Sequence, residues 1–267
     1  MRLLKFGLHL VLFVFLTILT QVGGIIYLIA LFATLKAKKL RIFKRAVIFI
    51  LLYCICCLFL IPRIALYFGR EKIETTDHLQ AYSIFYILAN RDYVKPELKL
   101  ALQEIGLGLS KNYPDLTVVY LDANFPFFDG FPLLPHLSHN DGKKIDLAFI
   151  YADENGKVSN EKPSRSGYGI YETPADGERD QTKICKEQGY WQYDFTKYVS
   201  FGKRNSQLTL SDEATRKLIS LILNQKQTSK LFLEPHLVDR MNLSHPKIRF
   251  HGCRAVRHDD HIHFQVR

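Results

Sequence analysis

The chain ends in His258-Asp-Asp-His261-Ile-His263-Phe-Gln-Val-Arg267, which places three of its ten histidines within six residues. From His261 onward polar and apolar residues alternate, the period of a half-buried strand. Residues two apart in a strand point to one face, so His261 and His263 present their imidazoles side by side. His258 lies on the approach to that strand. A second constellation lies upstream, in Pro135-His136-Leu-Ser-His139-Asn-Asp-Gly142-Lys-Lys-Ile-Asp146. Residues 145–151 are apolar and read as a strand, with Asp146 at its start. Gly142 lets the chain turn between His139 and that strand. Two ligands from one corner and one from a distant strand make a three-ligand site. Catalytic zinc uses three protein ligands and an open position for water. Each piece alone has a plainer reading: Asp259 and Asp260 as turn residues, Glu234 and His236 as a solvated edge.

The net charge of +10 suggests nucleic acid until it is located. Residues 1–70 hold ten of the 36 Lys and Arg and no Asp or Glu, which leaves 26 basic against 26 acidic residues beyond them. A phosphate-binding groove needs clustered charge in the folded domain, so no nucleic-acid partner is expected. Residues 6–35 carry no Lys, Arg, Asp or Glu, and residues 46–62 form a second such run, extendable to 69. Both are long enough to read as membrane spans. Six basic residues fall within 36–45 between them. Basic loops stay cytoplasmic, so a transmembrane hairpin over 1–70 is expected, with 71–267 outside. The first run is too long for a signal-peptide core, so both are expected to be retained. Cys54, Cys56 and Cys57 fall in the second run, and Cys185 and Cys253 in the external part, where they are candidates for a disulfide.

In that external part, Thr76-Asp77 reads as a cap for a helix through Asn90. Pro96 opens a second helix with an apolar face of Leu98, Leu102, Ile105 and Leu109. Residues 116–121 read as a strand, Asp153-Glu-Asn-Gly156 as a hairpin turn, and Ser211 as the start of a helix to about Asn224. Residues 231–233 read as a strand and 235–241 as a short helix. Residues 159–207 form a long irregular insertion, a binding loop or lid by its composition. Its Tyr168, Tyr171, Tyr190, Trp191 and Tyr193 either line a groove or pin the loop to the core.

These motifs resemble those of a zinc peptidase group that unites lysostaphin-type enzymes, D-Ala-D-Ala metallopeptidases and the hedgehog signalling domain. The likeness is greatest to penicillin-insensitive murein endopeptidases. Such enzymes carry His-x-Ser-His with a Gly three and an Asp seven residues after the second His, here His136, Ser138, His139, Gly142 and Asp146. They end in a His-x-x-His-x-His strand followed by Arg, here His258, His261 and His263. Phe232-Leu-Glu-Pro235 resembles their strand-to-helix turn. The likeness covers roughly residues 115–150 and 228–267, and neither the apolar hairpin nor the insertion.

The resemblance implies an α+β domain, with an antiparallel sheet core flanked by helices, behind the two transmembrane helices. It implies Zn2+ held by His139, Asp146 and His263, with His136 as a nearby residue that supports a ligand or binds an auxiliary metal. It implies His261 as general base or water-orienting group and His258 as support for the tetrahedral intermediate. Asp260, three residues before His263, is a rival for the base. The implied activity is hydrolysis of peptidoglycan peptide bonds; murein endopeptidases are typically soluble periplasmic proteins, whereas the two apolar runs make this chain an expected multi-pass protein of the bacterial cytoplasmic membrane with its catalytic domain on the periplasmic side. Alternatives in the same group are a D,D- or L,D-carboxypeptidase, or a non-catalytic zinc module that binds a cell-wall peptide or a protein partner. A membrane peptidase acting on proteins and a zinc-free, histidine-based pH sensor are more distant readings.

Overall fold

Long apolar stretches without acidic residues favour helix, since helical hydrogen bonds satisfy every backbone group internally. In the computed structural model, which describes residues 2–267, helices Arg2–Thr20 and Arg41–Tyr67 are each long and apolar enough to cross a membrane. The second carries a π-helical turn, Cys56–Leu60, just before Pro62. Proline has no N–H and clashes with the carbonyl four residues back, and the wider turn relieves that.

The uncharged run 6–35 is not one span. It breaks at Gln21, whose φ is +66°, and Gly23–Ala33 forms a separate eleven-residue helix. The Gln21 Oε1 accepts the Phe127 N–H at 2.9 Å, which fixes the break. A Cβ on Gly24 would lie 1.9 Å from the Thr17 Oγ1, so only glycine lets this helix close against the first.

The backbone divides into two compact units. The first contains the chain up to Ile73, Ile84–Pro96 and Asp122–Gly142. In it Glu71–Lys72 pairs antiparallel with Tyr93–Val94. Arg70 is buried; it donates to the Phe125 carbonyl and pairs with Asp129, anchoring the 122–142 loop.

The second unit contains Glu74–Ser83, Glu97–Leu121 and Lys143–Arg267. Its six-stranded sheet runs Ile248–Arg249, Thr228–Phe232, His261–Val266, Lys144–Ala148, Val118–Tyr120, Leu79–Ala81. The middle pairings are antiparallel, as expected, but both edge strands pair in parallel, so the sheet is mixed. Ile262, Phe264 and Val266 are buried on one face of the central strand. His261 and His263, on the other face, are buried too.

Helix Pro96–Ser110 buries Leu98, Leu102, Ile105 and Leu109. Helix Asp212–Leu223 is capped by Ser211, whose side chain accepts the Ala214 N–H.

Three sequence expectations are corrected. Residues 76–90 are not one helix: Leu79–Ala81 is a strand and only Ile84–Leu88 is helical. The Thr76 N–H goes to the Leu79 carbonyl in a tight turn instead of entering a helix. Residues 145–151 are not one strand. The Thr215 hydroxyl accepts the Ile150 N–H at 3.1 Å and bonds its carbonyl at 3.2 Å, ending Lys144–Ala148. Tyr151–Ala152 then joins Val158–Ser159 and Thr209–Leu210 in a separate three-stranded sheet, across the expected turn at Asp153–Gly156. The insertion is not wholly irregular. It holds helix Gln181–Glu187, capped by Asp180, and a 3-10 segment, Trp191–Val199. Cys185 and Cys253 form a disulfide.

Candidate metal sites

Register across the central sheet brings chemistry together. His263 lies directly opposite Asp146 on the adjacent antiparallel strand, so their side chains share a face. The His263 Nδ1 lies 2.9 Å from the Asp146 Oδ1, and the His261 Nε2 lies 3.6 Å from the same oxygen. The other carboxylate oxygen, Oδ2, accepts the Tyr168 hydroxyl at 2.8 Å. The insertion therefore supplies a group that orients Asp146, and Tyr168 also sets its ring edge-on to His261.

His261 is held from behind. Its Nδ1 lies 2.5 Å from the Asp260 Oδ1, while the Asp260 Oδ2 accepts the Gly169 N–H at 2.6 Å. Both Asp260 oxygens are thus engaged, and the His261 Nε2 is the nitrogen turned toward Asp146. Burial alone lowers the pKa of His261, but the Asp146 and Asp260 carboxylates outweigh it and raise the ring to about 9.

The loop of the first unit positions its own histidines. The His139 Nδ1 lies 2.8 Å from the Ala123 carbonyl, which makes Nδ1 the protonated nitrogen and leaves the lone pair on Nε2. His136 instead lies 2.8 Å from the Asp122 Oδ2, a carboxylate that also pairs with Arg91.

Among the described residues of the second unit, Glu234, His251 and His258 offer metal-ligating atoms that all lie within 4.8 Å of one another. Asp146 and His263 pair in that unit, whereas His139 and His136 belong to the loop of the first unit. No family model and no curated protein matches this chain.

The Glu234 group has its own scaffold. Glu234 follows strand Thr228–Phe232 and precedes helix Pro235–Arg240. It is buried, and so is His236, whose Nε2 lies 2.6 Å from the Glu172 carbonyl; neither is the solvated edge the sequence suggests. The Glu234 Oε2 accepts the Tyr193 hydroxyl at 2.6 Å, and Oε1 accepts the His258 backbone N–H at 2.8 Å. The His251 Nε2 lies 3.2 Å from the same Oε1, and the His251 and His258 rings are 4.1 Å apart. Burial, together with His251, His261 and His263 around it, holds His258 well below the usual histidine range, so its ring is neutral.

Sequence reasoning missed His251, which stands alone in a Phe-His-Gly-Cys stretch. It did single out Tyr168 and Tyr193, as insertion aromatics, without assigning either one a partner.

The Glu234 donor set suits zinc: two imidazoles and one carboxylate, buried or half-buried. The His139–Ala123 bond is the kind of carbonyl contact that orients a ligating imidazole.

Proposed function

We propose that the protein is a membrane-anchored zinc metallopeptidase that hydrolyses peptide bonds in peptidoglycan, a murein endopeptidase by its nearest motif likeness. The observation that carries this reading is the pairing of Asp146 with His263 across adjacent strands, beside His261, at residues to which the sequence resemblance assigns zinc binding and base; the resemblance supplies His139 as the third ligand. Bound by these three, zinc supplies a Lewis acid that polarises the scissile carbonyl and brings water's pKa toward about 7.

The chain's own groups then divide the proton work. His261 takes the water proton at Nε2 and delivers it to the leaving amine. Asp260, fully engaged with the His261 Nδ1 and the Gly169 N–H, is the positioning residue behind that base. Taking up the Asp146 charge in metal binding removes the largest upward push on His261, so the ring falls toward a working base. Tyr168 keeps the Asp146 carboxylate turned toward the ligand set. His258 lies beside His261, their ring centroids 4.9 Å apart, where the resemblance assigns support of the tetrahedral intermediate.

Two apolar helices flanking the basic 36–45 stretch support anchoring in a bacterial cytoplasmic membrane with the basic segment inside. The peptidase groups would then face the wall.

The test uses the full chain in detergent with purified sacculi, and identifies released fragments by mass. Peptide cross-links opened by wild type, blocked by a chelator and restored by zinc, are expected. Release of single terminal D-amino acids assigns a carboxypeptidase instead. Zinc-loaded, folded protein that releases nothing overturns the enzymatic reading in favour of a binding module.

A further inference from the structure

The Glu234 group is a hydrogen-bond network at first sight, yet it has three features of a ligand set. First, the other nitrogen of each imidazole is committed to a backbone carbonyl. The His251 Nδ1 lies 3.0 Å from the Gly252 carbonyl and the His258 Nδ1 lies 2.8 Å from the Val256 carbonyl. Histidines that bind metal nearly always hold their remaining N–H this way, because it fixes the tautomer and the ring plane. Each ring therefore presents Nε2 as the electron-pair donor.

Second, the spacing fits. Ligand atoms about 2.1 Å from a four-coordinate zinc stand roughly 3.4 Å apart. The His251 Nε2 to Glu234 Oε1 distance is 3.2 Å, and the third donor is within 4.8 Å of both. Third, the carboxylate has capacity left. Tyr193 and the His258 N–H donate one hydrogen bond each, the His251 Nε2 facing Oε1 carries a lone pair and donates none, and a carboxylate offers about four acceptor sites. A buried carboxylate beside two imidazoles, with one of its positions open, is the composition of a zinc site built from two histidines and one acidic residue.

The scaffold is also tied down. Cys253, two residues after His251, is bonded to Cys185 in helix Gln181–Glu187. The bond limits the freedom of the loop that carries His251, so fewer conformations are lost when a ligand binds.

We propose that Glu234, His251 and His258 form a second zinc site, with ligand atoms from the Glu234 carboxylate and the Nε2 atoms of both histidines. It shares no ligand with the His139, Asp146 and His263 group and does not depend on that group's role. A zinc ion there would take the His258 Nε2 as a ligand and place a cation beside His261.

Metal content per chain tests this on untagged, full-length protein in detergent, dialysed against low micromolar zinc. Two zinc ions per chain are expected in wild type, one in His251→Gln and one in His263→Ala. Wild type with one ion, kept by His251→Gln and lost by His263→Ala, overturns the second site and leaves the metallopeptidase reading intact. Two ions retained in His251→Gln likewise overturn it. Protein without zinc overturns both. If His251→Gln fails to fold, cobalt(II) titration of wild type decides: two successive sets of visible bands are expected, and one saturating set contradicts the proposal.

Discussion

Asp146 and His263 come together in one place and Glu234, His251 and His258 in another, and the two are assembled differently. In the first, Asp146 and His263 face each other across neighbouring strands, so pairing register alone sets their distance. In the second, Glu234 sits at a strand-to-helix turn and His251 and His258 lie in a loop, each fixed by local backbone contacts and a disulfide two residues away from His251. Strand periodicity makes the first group visible in a linear sequence. The second needs three dimensions.

The contrast can be broken most sharply at the ligands. His139→Ala or His263→Ala is expected to abolish hydrolysis of sacculi and remove one zinc, measured on the same sample. His261→Ala is expected to keep that zinc yet lower kcat by ~10²–10⁴-fold, the usual worth of a positioned base. Loss of zinc in His261→Ala would make it a ligand and undo the division between strand residues 261 and 263. Tyr168→Phe removes the hydroxyl that turns Asp146, and a drop of about 10-fold in zinc affinity or activity is expected.

Two smaller effects sharpen the role of the scaffold. The disulfide closes a 68-residue separation, and the Cys185→Ser, Cys253→Ser pair is expected to cost about 2–4 kcal/mol in chemical denaturation. The proposed second zinc should weaken more than the first in that variant. Lys162 belongs to neither group and serves as a control. Burial lowers its ammonium to about 7, from an ordinary value of 10.5. The unfolded chain therefore binds one more proton than the folded chain between those pH values, and this group's contribution to stability rises with pH there. Below pH 7 the folded protein carries the full penalty of a buried charge, so Lys162→Met is expected to stabilise by up to about 5 kcal/mol. The advantage should shrink steadily as pH rises above 7, read from denaturation midpoints between pH 6 and 9.

Much of the first group was legible before any coordinates. The alternation after His261 predicted one face for His261 and His263, and the 135–146 motif supplied His139 and Asp146. The helix from Pro96 and the cap at Ser211 followed from apolar spacing and capping chemistry. What was not legible depended on distant partners. The break at Gln21 needs the Phe127 backbone, and the end of the strand at Ala148 needs Thr215. Leu79–Ala81 is a strand because Val118–Tyr120 pairs with it, a contact that local helix signals cannot anticipate. His251 had no motif at all; only its approach to Glu234 gives it meaning. Asp260 and His261 are rivals for one role in the sequence; in space Asp260 bonds the His261 Nδ1 and the Gly169 N–H.

Anomalous X-ray diffraction at the zinc edge, from crystals of the full chain grown with zinc, tests the central claim most directly. The account predicts an anomalous peak within bonding distance of His139, Asp146 and His263, with a solvent molecule as a further ligand. Well-ordered side chains at these three residues with no peak between them would contradict it.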